Sequence, residues 1–320
     1  MPSKAFLEKQ NIPMGPPDGG MPDGMPVIPG PMASMMGGNI PAEYAHLNIP
    51  MVSPDYVPPD PIIPEGFTGG KVVVGGVPGL HLTKEGLRDD AVMMYIHGGG
   101  WTIGSAMQTD NVLAHFANEA KLEGYSVEYR LAPYHKFPAA VDDCVDFYCG
   151  LLEMGHKRIV VGGESAGAGL TLSLVHALKA KGLPLPAALW CSSPPEGFDT
   201  GTVPFIQDQF TGCNDDIIEA YAGDADLHDP RLSPIFGDFT DFPPMFIQVG
   251  GGESLAAGGI NLALAAMKQN NEVILHCGKD MPHTFAMDAI PGGGMGGSYP
   301  EAVNAMKAFV TFITNTLDIE

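Results

Sequence analysis

Ser165 lies in the run Gly163-Glu164-Ser165-Ala166-Gly167, where its type and its neighbours suit a nucleophile. The run follows an apolar stretch, Arg158-Ile159-Val160-Val161, and opens a Gly- and Ala-rich stretch with helical character over residues 166–181. A serine between glycines at such a junction sits on a sharp turn. Its hydroxyl is then raised above the carboxyl edge of a parallel sheet, with a helix N-terminus aimed at it. Upstream, the apolar run Met93-Met94-Tyr95-Ile96 leads straight into His97-Gly98-Gly99-Gly100-Trp101. Consecutive glycines let backbone N–H groups approach a ligand without side-chain obstruction. The amides of Gly98, Gly99 and Ala166 are therefore expected to hold the oxyanion that forms when a hydroxyl attacks an acyl carbonyl, with Gly100 in support.

A serine nucleophile needs a base, and the base needs a carboxylate to orient it. Ten histidines are present, so position must choose among them. His283, in Asp280-Met281-Pro282-His283-Thr284-Phe285, follows the strand-like run Val273-Ile274-Leu275-His276-Cys277 late in the chain, as the order serine, acid, histidine requires. His97 belongs to the glycine loop and is expected to shape its turn. His115, His156 and His176 fall in or beside helical stretches, and His276 lies within the strand. The acid should follow the strand Pro244-Met245-Phe246-Ile247-Gln248-Val249. Between Asp241 and Glu272 only Glu253 is acidic, and those two flank strands at the wrong end of the sheet. Glu253 is the expected acid, with Asp280 and Asp288 as outside candidates.

The elements that would carry these side chains alternate from Lys71 onward. Residues 71–74 and 79–82 read as an antiparallel opening pair. Residues 91–96, 126–129, 158–161, 187–191, 244–249 and 273–277 read as sheet strands, and 109–123, 138–154, 166–181, 255–269 and 300–316 as crossover helices. Such alternation predicts an α/β fold with a mostly parallel sheet flanked by helices on both faces. Residues 66–193 and 230–320 form the expected catalytic domain. Residues 194–229 are too long for an ordinary connection and are expected to form a lid over the site. Trp101, Phe198, Phe205, Phe210 and Tyr221 are candidates for the substrate pocket or for packing of the lid, and Glu164, beside the nucleophile, is a further candidate for binding substrate. Arg130 is expected to brace Asp142 or Asp143. Residues 1–65 are crowded with Pro, Gly and Met, which excludes long regular helices. An irregular wrap, with methionines and Tyr44 over the mouth of the site, is the expectation there.

Composition bounds the partners. A chain of 320 residues with 45% hydrophobic content can bury a substantial core. A net charge of −21 repels phosphate, so nucleic acid and anionic membrane surfaces are poor partners. Five cysteines lack C-x-x-C spacing, and buried free thiols are expected. With no long apolar run and no basic-then-apolar leader, membrane insertion is not expected and a cytoplasmic location is.

Together the motifs resemble the hormone-sensitive-lipase-like branch of the α/β-hydrolases. His97–Gly100 matches that family's HGGG loop, Gly163–Gly167 its GDSAG elbow, and Glu253 with His283 its late acid and histidine. Tyr129-Arg130-Leu131-Ala132-Pro133, Phe137-Pro138-Ala139-Ala140 with Asp142 and Asp143, and Ser233-Pro234 ahead of Pro243-Pro244 match further family stretches. The resemblance covers about residues 70–318. It implies an α/β-hydrolase fold and a serine carboxylic-ester hydrolase that uses Ser165, His283 and Glu253, needs no metal or cofactor, and acts on a small-molecule ester. A homodimer is compatible with such a chain. Three departures stand out: Glu164 replaces Asp in the elbow, Glu253 replaces the usual Asp, and residues 1–60 do not resemble the family's cap helices. Acyl transfer to an alcohol by the same triad is a competing reading. A small-molecule receptor of this fold is another, although such receptors lack a working triad.

Overall fold

The computed structural model describes residues 40–47, 49–204, 214–294, 296–297 and 299–318. Eight strands form one sheet: β1 (Thr68–Val74), β2 (Val77–Thr83), β3 (Val92–Ile96), β4 (Glu123–Val127), β5 (Ile159–Glu164), β6 (Ala188–Ser192), β7 (Met245–Gly250) and β8 (Val273–Gly278). Their spatial order is β1-β2-β4-β3-β5-β6-β7-β8. β2 runs antiparallel to both β1 and β4, and every other pairing is parallel.

β3, β6 and β7 are buried at every position because helices cover both faces, which is why they read as near-continuous apolar runs; the exception inside β7, Gln248, is bonded to the Trp190 indole and the Ala305 carbonyl. The period of two still sorts their side chains. Met94 and Ile96 enter one core with Leu172 and Phe147, whereas Met93 and Tyr95 enter the other with Phe116, Trp190 and Phe309. The first core packs against α2 (Ala139–Glu153), α3 (Ala166–Lys181) and α5 (Ala256–Lys268), and the second against α1 (Asp110–Glu119) and α6 (Pro300–Asp318). α3 is buried through most of its length, as its even spread of small and apolar residues requires. Among the described residues no helix is long and apolar enough to cross a membrane.

One boundary departs from expectation. The helix read over 109–123 stops at Glu119, and the strand read over 126–129 begins at Glu123. Lys121 turns the chain in the left-handed region (φ 58°) and Leu122 plugs the core. Gly124 can then pair with Leu82 and Met93 while lying against Leu113, where a Cβ would come within 3.0 Å of that side chain. Tyr129 and Arg130 are thereby freed from the sheet. Arg130 grips Asp143 through Nε and Nη2 at 2.8–3.0 Å, the brace anticipated from sequence.

Two irregular segments cover the carboxyl edge of the sheet. Between β6 and β7 lie a single turn, α4 (Asn214–Ile217), a wider π-helical turn at Ile218–Ala222, and a 3-10 turn at Pro234–Phe236. From the N-terminal side, Leu47, Ile49 and Met51 pack on Ala220, and Thr102 is tied to this segment through Pro50 and Val52. Tyr44 meets Tyr134 edge-on at 5.7 Å. Residues 1–39, with most of the N-terminal methionines, lie outside the described residues, as do Phe205 and Phe210.

Candidate active site

Ser165 joins β5 to α3 with φ 52° and ψ −122°, a left-handed backbone forced by the sharpness of the turn. The flanking glycines are there because the elbow is pressed on the end of β3. A Cβ on Gly163 would lie 2.2 Å from the Ile96 carbonyl oxygen, and one on Gly167 2.0 Å from the same atom. The Ser165 amide donates to the Ser192 carbonyl at 2.8 Å, which ties the elbow to β6 as well.

His283, in the loop after β8, brings Nε2 to 2.9 Å from the Ser165 hydroxyl oxygen. Its Nδ1 is hydrogen-bonded to Oε2 of Glu253, in the loop after β7. A carboxylate only accepts, so Nδ1 carries the proton and Nε2 is left to accept from the serine. Glu253 is fully buried, and its other oxygen, Oε1, accepts from the Gly250 amide at 2.6 Å and the Ser193 hydroxyl at 2.9 Å. Backbone bonds clasp the two loops together: Gly251 N–H to the Gly278 carbonyl at 2.7 Å and Gly252 N–H to the Met281 carbonyl at 2.9 Å. Of the three acids weighed, Glu253 is the one bonded to Nδ1, while Asp288 accepts from the amides of Gly296 and Gly297.

Ser193 went unnoticed in the sequence. Its hydroxyl donates to Glu253 and accepts from the Thr284 amide at 2.9 Å, joining the acid to the residue after the histidine. The available signal was a hydroxyl at the carboxyl end of the strand next to the nucleophile's own.

The glycine loop requires a correction. Gly98, expected as an oxyanion donor, is buried, and its N–H already donates to Oε1 of Glu164 at 2.6 Å. Gly99 and Gly100 take left-handed φ values of 111° and 60°, and both line the cavity in front of Ser165, as do Gly98 and Ala166, so it is the engaged amide and not its place that sets Gly98 apart. Among the described hydrogen bonds none uses the amide of Gly99 or Gly100, and the Ala166 amide, in the first turn of α3, has no partner within the helix. His97 stabilises the turn as anticipated, through Nδ1 and the Gly98 carbonyl at 2.8 Å, and stacks on Tyr129 at 4.2 Å. Burial holds its pKa down to about 4.

Glu164, expected as a substrate-binding candidate, has both carboxylate oxygens engaged by the protein, the second by the Tyr95 hydroxyl. Burial pushes its pKa up to about 7, against the opposing pull of these hydrogen bonds. Trp101 and Phe198 wall a cavity of about 390 Å³ whose lining also includes Ile49, Pro50, Ile217 and Leu255. Tyr221 does not line it. It is 1% exposed and stacks behind Trp101 at 4.6 Å with ring planes 6° apart, so its place is in the packing under the cover. Among the described residues no three His, Cys, Asp or Glu side chains gather as metal ligands would. The described cysteines, Cys144, Cys149, Cys191 and Cys277, are free thiols.

Known proteins resemble this chain in sequence and fold. A family described by its α/β-hydrolase fold matches residues 93–287, more than half of the chain. An acetyl-hydrolase of Streptomyces hygroscopicus is 34% identical over 233 residues, covering 69% of this chain and 76% of its own. A carboxylic ester hydrolase, LipN, of Mycobacterium tuberculosis is 28% identical over 256 residues, covering 74% of this chain and 68% of its own. The crystal structure of a hormone-sensitive lipase from a metagenome library superposes with a TM-score of 0.71 at 31% identity, over 81% of this chain and 87% of that one. With its fold, its strand-to-helix serine and these relatives in agreement, the chain belongs to the α/β-hydrolase family, among the hormone-sensitive-lipase-like carboxylic ester hydrolases.

Proposed function

We propose that the chain hydrolyses carboxylic esters with short- to medium-chain acyl groups, an acetylated metabolite or a lactone among them, through a Ser165–His283–Glu253 triad and an acyl-enzyme. The observation that carries this reading is the unbroken hydrogen-bond line from the Ser165 hydroxyl through the imidazole to a fully buried carboxylate. As Ser165 Oγ attacks the ester carbonyl, its proton passes to His283 Nε2. Glu253 holds the imidazole in that tautomer and stabilises the imidazolium. The tetrahedral oxyanion is held by the amides of Gly99, Gly100 and Ala166. Collapse of the intermediate expels the alcohol, which takes the proton from Nε2. Water then enters, gives a proton to Nε2, and its oxygen attacks the acyl-enzyme. The second collapse frees the carboxylic acid and returns the proton to Ser165.

The short-chain preference is supported by the cavity, walled in part by the rings of Trp101 and Phe198, and by the acetyl-hydrolase among the relatives. The test is a panel of p-nitrophenyl esters from acetate to palmitate. The expected result is a kcat/KM highest among the short acyl chains and lower for palmitate by about 100-fold, the effect of a few kcal/mol of lost fit. A maximum at palmitate would contradict the proposal.

A further inference from the structure

We infer that Glu164 is a positioning residue that clamps the glycine loop of the oxyanion cradle to the nucleophile elbow through the amide of Gly98. The inference rests on the proposed hydrolysis. β3 and β5 are paired in parallel as far as Ile96 and Gly163. Beyond Ile96 the chain leaves the ladder, and the backbone bonds that would hold it to β5 end just where the glycine loop begins. The Glu164 side chain continues the pairing across that gap: Oε1 accepts the Gly98 N–H at 2.6 Å, and Oε2 accepts the Tyr95 hydroxyl.

Both ends of the clamp are rigid. Glu164 is bonded directly to Ser165, so its carboxylate is set by the backbone that sets the nucleophile. Tyr95 is 1% exposed and packed beside Trp190 in the second core. Gly98 admits the contact because it lacks a Cβ. One placed there would lie 2.8 Å from the Glu164 carbonyl oxygen and 3.0 Å from Oε1. The need for a clamp follows from the loop's composition. Three successive glycines lose much conformational freedom on ordering, and an oxyanion donor displaced by a fraction of an ångström loses much of its effect. The Gly98 amide is therefore bound by the carboxylate so that the next two amides stay directed at the place where negative charge develops.

The test compares the full-length Glu164→Met, Glu164→Gln and Tyr95→Phe proteins with the parent, using p-nitrophenyl butyrate as substrate and an alkyl trifluoromethyl ketone as a mimic of the tetrahedral intermediate. Ser165→Ala serves as the control for the underlying reading: if turnover does not depend on Ser165, the hydrolytic mechanism fails before the clamp is tested. Met fills the space but offers Gly98 no acceptor. Its kcat is expected to fall about 100-fold with KM nearly unchanged, and ketone affinity to weaken in parallel. Gln keeps a carbonyl oxygen for Gly98 and should retain kcat to within about tenfold. Tyr95→Phe, which frees one side of the clamp, should lower kcat about threefold without raising KM. A folded Glu164→Met protein with parental kcat and ketone affinity would overturn the inference, as would equal losses in Met and Gln. Should the Met protein fail to fold, parental kcat and ketone affinity in Tyr95→Phe, or a Gln protein as impaired as Ser165→Ala, would overturn it as well.

Discussion

The floor and the cover of this site are built by different means. The floor is the carboxyl edge of β5, β7 and β8, where backbone contacts and buried hydrogen bonds hold Ser165, Glu253 and His283. A Cβ on Gly163, Gly167 or Gly250 would lie within 2.3 Å of a carbonyl oxygen. Glu253 is held by Gly250 and Ser193 before it meets the imidazole. The cover is held by ring stacking and apolar packing: Trp101 on Tyr221 and Phe198, and Leu47, Ile49 and Met51 on Ala220. Hydrogen bonds to a charged group fix direction, whereas apolar packing fixes volume and tolerates exchange. Under the proposed hydrolysis, the difference would leave proton transfer to the floor and choice of substrate to the cover.

That division can be broken from either side. The largest effect is expected in the floor. Glu253→Gln keeps the shape but no longer fixes the protonated Nδ1, and kcat should fall on the order of 10³–10⁴-fold with little change in KM. A comparable loss in Asp280→Asn or Asp288→Asn, with Glu253→Gln near parental activity, would assign the acid elsewhere. In the cover, Phe198→Ala enlarges the cavity. The expectation is a preference moved towards longer acyl esters by about tenfold in relative kcat/KM, alongside a stability loss of about 3 kcal/mol. A lost kcat with unchanged chain-length preference would mean that the cover acts on the chemistry itself. The smallest effect concerns stability. Glu164 has a folded pKa of about 7 against an ordinary value of 4.5, so the folded state keeps a proton that the unfolded chain releases first. The advantage of the protonated carboxyl is complete below about 4.5 and is lost as pH rises towards about 7. Glu164→Gln lacks this titration, so the parent's melting temperature should decline relative to that of the Gln protein across this window and run level with it above. Parallel curves throughout would show that the carboxyl does not titrate there.

What could be read from the sequence follows the same line. Ser165, His283 and Glu253 were picked out by their order along the chain and by each following a strand, and the structure places the three in one hydrogen-bond line. Where a side chain reaches across to distant backbone, the reading failed. Which amides of His97–Gly100 are already engaged depends on Glu164 bonding to Gly98, 66 positions away, and nothing local to either motif marks that contact. Ser193 was missed for the same reason, since its partners Glu253 and Thr284 come from two other loops. The end of α1 was misplaced because 109–123 is a reasonable helix by propensity. The pairing of Gly124 with two neighbouring strands overrides that preference. Tyr221 was left between pocket and lid packing by its aromatic type alone, and the structure puts it in the packing, its ring stacked flat on Trp101.

The most direct test of the relay at the elbow is to trap the acyl-enzyme analogue and locate it. Full-length protein is treated with a p-nitrophenyl alkylphosphonate and digested, and the modified peptide is identified by mass. One phosphonyl group is expected per chain, on Ser165, with p-nitrophenol released in equal amount and no adduct in Ser165→Ala or, at the same rate, in His283→Ala. An adduct on another residue, or undiminished ester turnover in Ser165→Ala, would contradict the account.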